Sequence, residues 1–225
     1  MISNKDIYDR AINLIDDPVL NRAQIRNPIE FQKMMYKFLE NGVSIITSPV
    51  RVSQSLANAT VPDGSTEFFD GDGNDTYDVT MEVPEDADIV CRIGDTIDYE
   101  AVYENNKVKF SKVVTEGETA SIEWYTCGGF ADLQGVSAKV PVASVTSKVI
   151  DMLARALVIS WADKEKNFLL DIRNLLNDTD FKLHSPANSL KSKVEWVDGL
   201  RFEIMTLQTK MDWDFRNQAR SRYGY

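Results

Sequence analysis

The chain is poor in the residues that most metal and nucleophile chemistry needs. In 225 residues there are two cysteines, Cys91 and Cys127, and one histidine, His184. That inventory excludes a dense disulfide framework and a four-thiolate zinc site. The two thiols are expected to act as buried small hydrophobes, with a disulfide between them as the other reading. No apolar run approaches the ~20 residues of a membrane-crossing helix, so no membrane partner is expected. Met1-Ile2-Ser3-Asn4-Lys5-Asp6 lacks the charged-then-apolar pattern of a signal peptide. His184 has no Gly-x-Ser-x-Gly elbow to serve, and Gly128-Gly129 is not followed by Lys and Ser or Thr. Neither a hydrolase triad nor a phosphate loop is therefore expected.

What is present is the material of a globular core, with 43% hydrophobic and 27% charged residues. The charge is unevenly spread. Residues 60–135 hold 18 acids and 4 bases, a net charge of −14, whereas the rest holds 17 acids and 21 bases, +4. Such a split marks two environments. An acidic module of this kind suits solubility or a basic neighbour, and it is a poor partner for nucleic-acid phosphates.

Helical signals flank this module. Ser3 or Asn4 can cap a helix over 4–16, with Ile7, Ala11, Ile12, Leu14 and Ile15 on its apolar side, and Asp16-Asp17-Pro18 is expected to stop it. Asn27 and Pro28 open a second helix, carried by Phe31, Met34, Met35, Phe38 and Leu39 and closed at Asn41-Gly42 by a left-handed cap. Val43–Ile46 and Val50–Val52 read as strand. Residues 60–127 read as β-rich: Tyr77, Val79 and Met81 alternate with polar residues, Ile89–Ile93 and Ser121–Tyr125 read as strands, and Asn105-Asn106 is a tight hairpin turn between 99–103 and 107–110. After Pro141 one apolar stripe runs from Val145 to Trp161 and another from Phe168 to Leu176, with a bend near Asp163. Residues 177–193, broken by Pro186, read as a loop. A last helix spans 194–219, with Val197, Leu200, Ile204, Leu207 and Met211 as its packing seam.

Two constellations invite chemistry. Asp70, Asp72 and Asn74 match positions 1, 3 and 5 of an EF-hand loop, but Asp75 stands where glycine belongs and Met81 where glutamate belongs, so an acidic β-turn is expected and no metal or cofactor. The C-terminal end gathers Arg216, Arg220, Arg222, Tyr223 and Tyr225 with no acid after Asp214. Arginine and tyrosine are interface residues, and these five are the candidate partner-docking site; a basic helix end suited to the helix dipole is the plainer reading.

The middle segment, Phe68-Phe69-Asp70-Gly71-Asp72-Gly73 with Tyr77-Asp78-Val79, Asp88–Gly94, Asp98-Tyr99, Asn105–Phe110, Gly117-Glu118 and Ile122–Tyr125, resembles small β-modules of phage tail and neck proteins. The flanking helices and the Arg/Tyr tail resemble a head–tail adaptor (connector) of a tailed bacteriophage. The resemblance implies a non-enzymatic virion protein made in the bacterial host cytoplasm. It would form a ring of about twelve copies under the portal protein, contact other neck or tail proteins, and let DNA pass through its channel without sequence-specific binding. The expected fold is α+β: a helical bundle from 1–59 and 136–225 with an inserted antiparallel β-sandwich at 60–135. The alternatives are a tail-side ring or fibre-attachment protein, and a carbohydrate-binding module in which Trp124, Tyr125 and Tyr99 would stack on sugar.

Overall fold

A computed structural model describes residues 2–47, 59–130, 142–177 and 186–223. The fold is mixed α+β with antiparallel sheets, and among the described residues no sheet closes into a barrel. The chain divides into two compact units. One comprises Met1–Ile25, Met34–Val61 and Gly128–Tyr225; the other comprises Arg26–Lys33 and Pro62–Cys127. The β unit is thus shorter at both ends than the expected 60–135 and adds Arg26–Lys33.

In the helical unit, α1 (Asn4–Ile15) starts where the Ser3 hydroxyl accepts the Lys5 N–H, and it buries Ile7, Tyr8, Ala11 and Ile12. Asp16 ends it in the left-handed region, its N–H donating to the Ile12 carbonyl. The first helix therefore stops at Asp16-Asp17-Pro18 as expected, but Pro18 also has a second role. It opens α2 (Pro18–Arg26), because the first helical position needs no N–H. Helix α3 (Pro28–Val43) buries Phe31, Met35, Phe38 and Leu39. The expected cap at Gly42 is absent: a Cβ there would lie 2.6 Å from the backbone carbonyl of Ala156, so this glycine permits a close helix approach. Nor is Val43–Ile46 a strand. The Ile45 and Ile46 N–H groups donate to the Gly42 and Val43 carbonyls, continuing α3 as a tighter turn. The proposed strand at Val50–Val52 lies outside the described residues.

Helix α4 (Val142–Asn177) runs without a break through Asp163. From Val149 to Ile159 it is buried nearly all round, which makes it the core of this unit. Helix α5 (Pro186–Tyr223) is longer at both ends than the expected 194–219. Pro186, read from sequence as a loop breaker, is its first residue, for the same reason as Pro18; residues 178–185 lie outside the described set. Three ion pairs, Lys148–Asp214 at 2.9 Å, Arg155–Glu203 at 2.6 Å and Arg201–Asp163 at 3.1 Å, set α4 and α5 antiparallel. Arg10 of α1 pairs with Asp151 of α4. Short strands β1 (Ile2–Ser3), β2 (Ala59–Thr60) and β10 (Gly129–Phe130) form a small sheet in the order β1-β10-β2.

The β unit has two sheets. One has the order β3-β9-β5-β6, from β3 (Asp63–Asp70), β5 (Asp88–Ile93), β6 (Thr96–Ile97) and β9 (Thr119–Thr126). The other has the order β4-β8-β7, from β4 (Thr76–Asp78), β7 (Val102–Glu104) and β8 (Lys107–Lys109). Phe69, Cys91, Ile93, Ala120 and Ile122 of the first and Val108 of the second share one core cluster with Val79, Phe110 and Val114. Asn105 and Asn106 turn the β7–β8 hairpin with φ of 52° and 60°, as a mirror-image turn requires. Cys91 and Cys127 are both free thiols, and burial first, then Asp98, pushes Cys91 up to about 11.

Candidate assembly surface

Helix α5 carries two stripes. Val197, Leu200, Ile204 and Met211 are buried, at three- and four-residue spacings and their multiples. Rotated about half a turn away are Phe202, Met205 and Trp213, which are 64%, 55% and 63% exposed. The spacing is helical too, so these three share one outward face with Thr206 and Thr209. Neither threonine needs an outside partner, since their hydroxyls donate to the Phe202 and Met205 carbonyls at 2.9 Å. The flanking Arg201 and Glu203 are engaged by Asp163 and Arg155 on α4. The result is a mainly apolar strip over three turns, its threonine hydroxyls satisfied internally, edged by the half-buried Asp212 seven residues after Met205 and by the exposed Lys210.

The residues proposed for partner docking come after this strip in the chain. Arg216 is exposed on α5. Arg220, Arg222 and Tyr223 belong to the last turns of the same helix, and Tyr225 lies outside the described residues. The outward apolar stripe was not singled out from sequence. Its signal was available in the three-, four- and four-residue steps from Phe202 through Met205 and Thr209 to Trp213, offset from the buried seam.

The acidic turn is self-contained. Asp72 accepts from the Tyr77 hydroxyl and the Asn74 side-chain amide at 2.8 Å each and from the Asn74 N–H at 3.1 Å. These bonds, led by that from Tyr77, hold its carboxyl below the usual range. Among the described residues no group of acids, histidines or cysteines is placed to hold a metal ion, and His184 is outside them. The three aromatics named for sugar stacking do not make a platform. Trp124 is buried, its neighbour Tyr125 faces the other side of β9, and Tyr99 lies beyond the end of β6.

On the β unit, a groove of about 800 Å³ runs over the outer face of the first sheet. Its floor is the cross-strand row Phe68, Ser121 and Arg92, and Ile29 and Lys33 stand at its side. Gly64 permits this arrangement, because a Cβ there would come within 2.9 Å of the Ile29 side chain. A nearly buried ion pair links Arg92 and Glu123 at 3.7 Å. Arg92 also donates to the Arg26 carbonyl at 2.7 Å, at the C-terminal end of α2, while Glu123 accepts the Ile29 N–H at 3.4 Å, in the first turn of α3. Each charge thus faces the helix end whose partial charge is opposite to it. Burial raises the Glu123 carboxyl against the opposing pull of the Ile29 N–H and Arg92.

Elsewhere in the unit carboxylates are stabilised. Burial works against charged Glu67, but bonds from the Thr80 hydroxyl and the Met81 and Thr80 N–H groups outweigh it and hold its carboxyl low. A depressed carboxyl contributes stability that is present above its unfolded pKa and lost as pH falls through its folded pKa. Replacing Glu67 by Gln should therefore flatten the loss of stability on acidification below about pH 4.5. Denaturant melts across that range would show an unchanged slope if this carboxylate were not engaged.

Comparison of the chain with known protein families, with curated proteins and with solved structures gives no match.

Proposed function

We propose that the chain is a non-enzymatic structural subunit of a tailed-bacteriophage virion, a head-to-tail connector that assembles into a ring between portal and tail. In this reading the α-helices form a bundle and the β unit is an inserted two-layer sandwich. The carrying observation is the outward stripe of α5. Phe202, Met205 and Trp213 together leave about 400 Å² of apolar side chain in water, the size of the largest apolar patch on many monomers, which is often the functional one. At ~25 cal/mol per Å², covering it contributes about 10 kcal/mol, comparable to the cost of association itself. Contacts of this size hold an assembly best when each subunit makes two of them, as in a closed ring where the stripe seats on a different face of the next copy. The Arg216, Arg220, Arg222, Tyr223 and Tyr225 end then projects to the portal. The acidic β unit, with 18 acids against 6 bases, would let DNA pass without binding.

The test is the double substitution Phe202→Glu, Trp213→Glu. Both side chains are exposed, so the melting temperature should stay within a degree or two, on the order of surface changes generally. Assembly, read by sedimentation, should be lost. Deleting 216–225 should leave the ring but remove portal attachment. Undiminished assembly of the double variant would sink the proposal.

A further inference from the structure

The register of β3 exposes a second kind of surface. In the β5–β6 hairpin the Asp98 N–H donates to the Cys91 carbonyl, and the Gly94 N–H donates to Thr119 of β9. Even-numbered β5 residues therefore bond to β9, which turns Ala120, Ile122, Trp124 and Thr126 toward β3. Their partners there are Phe69, Glu67, Ser65 and Asp63. The Gly71 N–H, bonded to the Glu118 carbonyl, continues the same alternation. The N–H and C=O groups of Thr66 and Phe68 accordingly point away from β9. Among the described residues no strand pairs with that edge.

The edge is long and regular. Eight residues pair with β9 without a bulge, and β3 contains neither lysine nor proline, the usual protections against strand addition. Phe68 stands 70% exposed beside the groove. What β3 does carry is Asp63, Glu67 and Asp70, with no base. Two copies of β3 edge to edge would bring like charges together, which disfavours self-pairing. Asp63, on the face opposite Phe68, and Asp70, at the end of the strand, favour a basic strand, while the Glu67 carboxylate is already held by Thr80 and Met81.

We propose that the open edge of β3 accepts an extended segment of a partner chain, in which apolar residues pack beside Phe68 and lysine or arginine occupies the alternate positions. The new strand would bond to the Thr66 and Phe68 backbone groups and place its apolar residues on the groove side. This goes beyond the ring reading and stands without it, since its partner and surface are different.

The probe is a blocked peptide of alternating valine and lysine, matched in length to β3, added to the full chain while amide exchange is followed. Exchange at Thr66 and Phe68 should slow by about tenfold or more, with little change at other exposed amides. The glutamate-for-lysine peptide should have no such effect. Thr66→Pro removes an outward N–H without touching the β9 ladder, so it should fold and bind the peptide at least about tenfold more weakly. If that variant fails to fold, a peptide N-methylated at alternate residues on the native chain replaces it and should not protect the edge. Protection spread evenly over the acidic surface would overturn the proposal, as would protection of Thr66 and Phe68 that rises with protein concentration in the absence of peptide.

Discussion

Glu123→Ala should destabilise the β unit by about 3 kcal/mol, the low end of the range for removing one partner of a buried ion pair. Three losses act together. Arg92, whose side chain is only 12% exposed, loses the carboxylate it pairs with. The Ile29 N–H loses its acceptor. The first turn of α3 loses an anion at its positive end. Because burial raises the Glu123 carboxyl, its linkage has the sign opposite to that of Glu67. A raised carboxyl contributes stability that is full below its unfolded pKa and lost as pH rises through its folded pKa. The cost of Glu123→Ala, measured by denaturant unfolding, should thus be larger just below the unfolded value than above the folded one in this linkage component. Replacing both residues, Arg92→Met with Glu123→Leu, should recover most of the loss, since a hydrophobic pair of similar volume leaves no buried charge unpaired. A double variant as damaged as the single one would show that the helix-end contacts, and not the unpaired charge, carry the effect.

Gly71→Ala should cost at least about 3 kcal/mol, at the severe end of overpacking. A methyl group at Gly71 would collide with the Thr115 carbonyl oxygen and sit 2.9 Å from that of Glu118. Both are backbone atoms and cannot swing aside. The Gly71 N–H already donates to the Glu118 carbonyl at 2.9 Å, and Glu118 in turn accepts from the Thr115 N–H and hydroxyl. The substitution therefore wedges apart a turn fixed from both sides. Gly73→Ala is the control: its φ of 82° carries a conformational penalty, but nothing lies within 4 Å of the added carbon. It should cost only about 1 kcal/mol. Equal effects at the two positions would mean that the turn relaxes around the added methyl group and the carbonyl clash at Gly71 carries no cost of its own.

The glycines, prolines and asparagines show why parts of the fold were legible and others were not. The Asn105-Asn106 turn could be read because its demand, positive φ at two successive residues, is local. The helix seam of Val197, Leu200, Ile204 and Met211 could be read because burial against one neighbour leaves a simple period. Gly42 and Gly71 misled or stayed silent because their reason is a distant backbone atom, Ala156 in one case and Thr115 in the other. Pro18 and Pro186 have two opposite local meanings, stop and start, and only the helical capacity of the residues after each proline decides between them. Strand β3, with the sequence Asp-Gly-Ser-Thr-Glu-Phe-Phe-Asp, shows no alternation of apolar and polar residues because one face is core and the other is groove and edge. The Arg92–Glu123 pair joins residues far apart in the chain, and an acid among 18 in the unit offers no signal of its own.

The outward stripe of α5 bears most directly on what the protein does, and the mass of the intact chain in solution tests it. Native mass spectrometry with negative-stain electron microscopy of the same sample should show closed rings of about twelve subunits, and the Phe202→Glu, Trp213→Glu variant should run as a monomer. A wild-type chain that stays monomeric as its concentration is raised, or a double variant that still forms rings, would contradict the account.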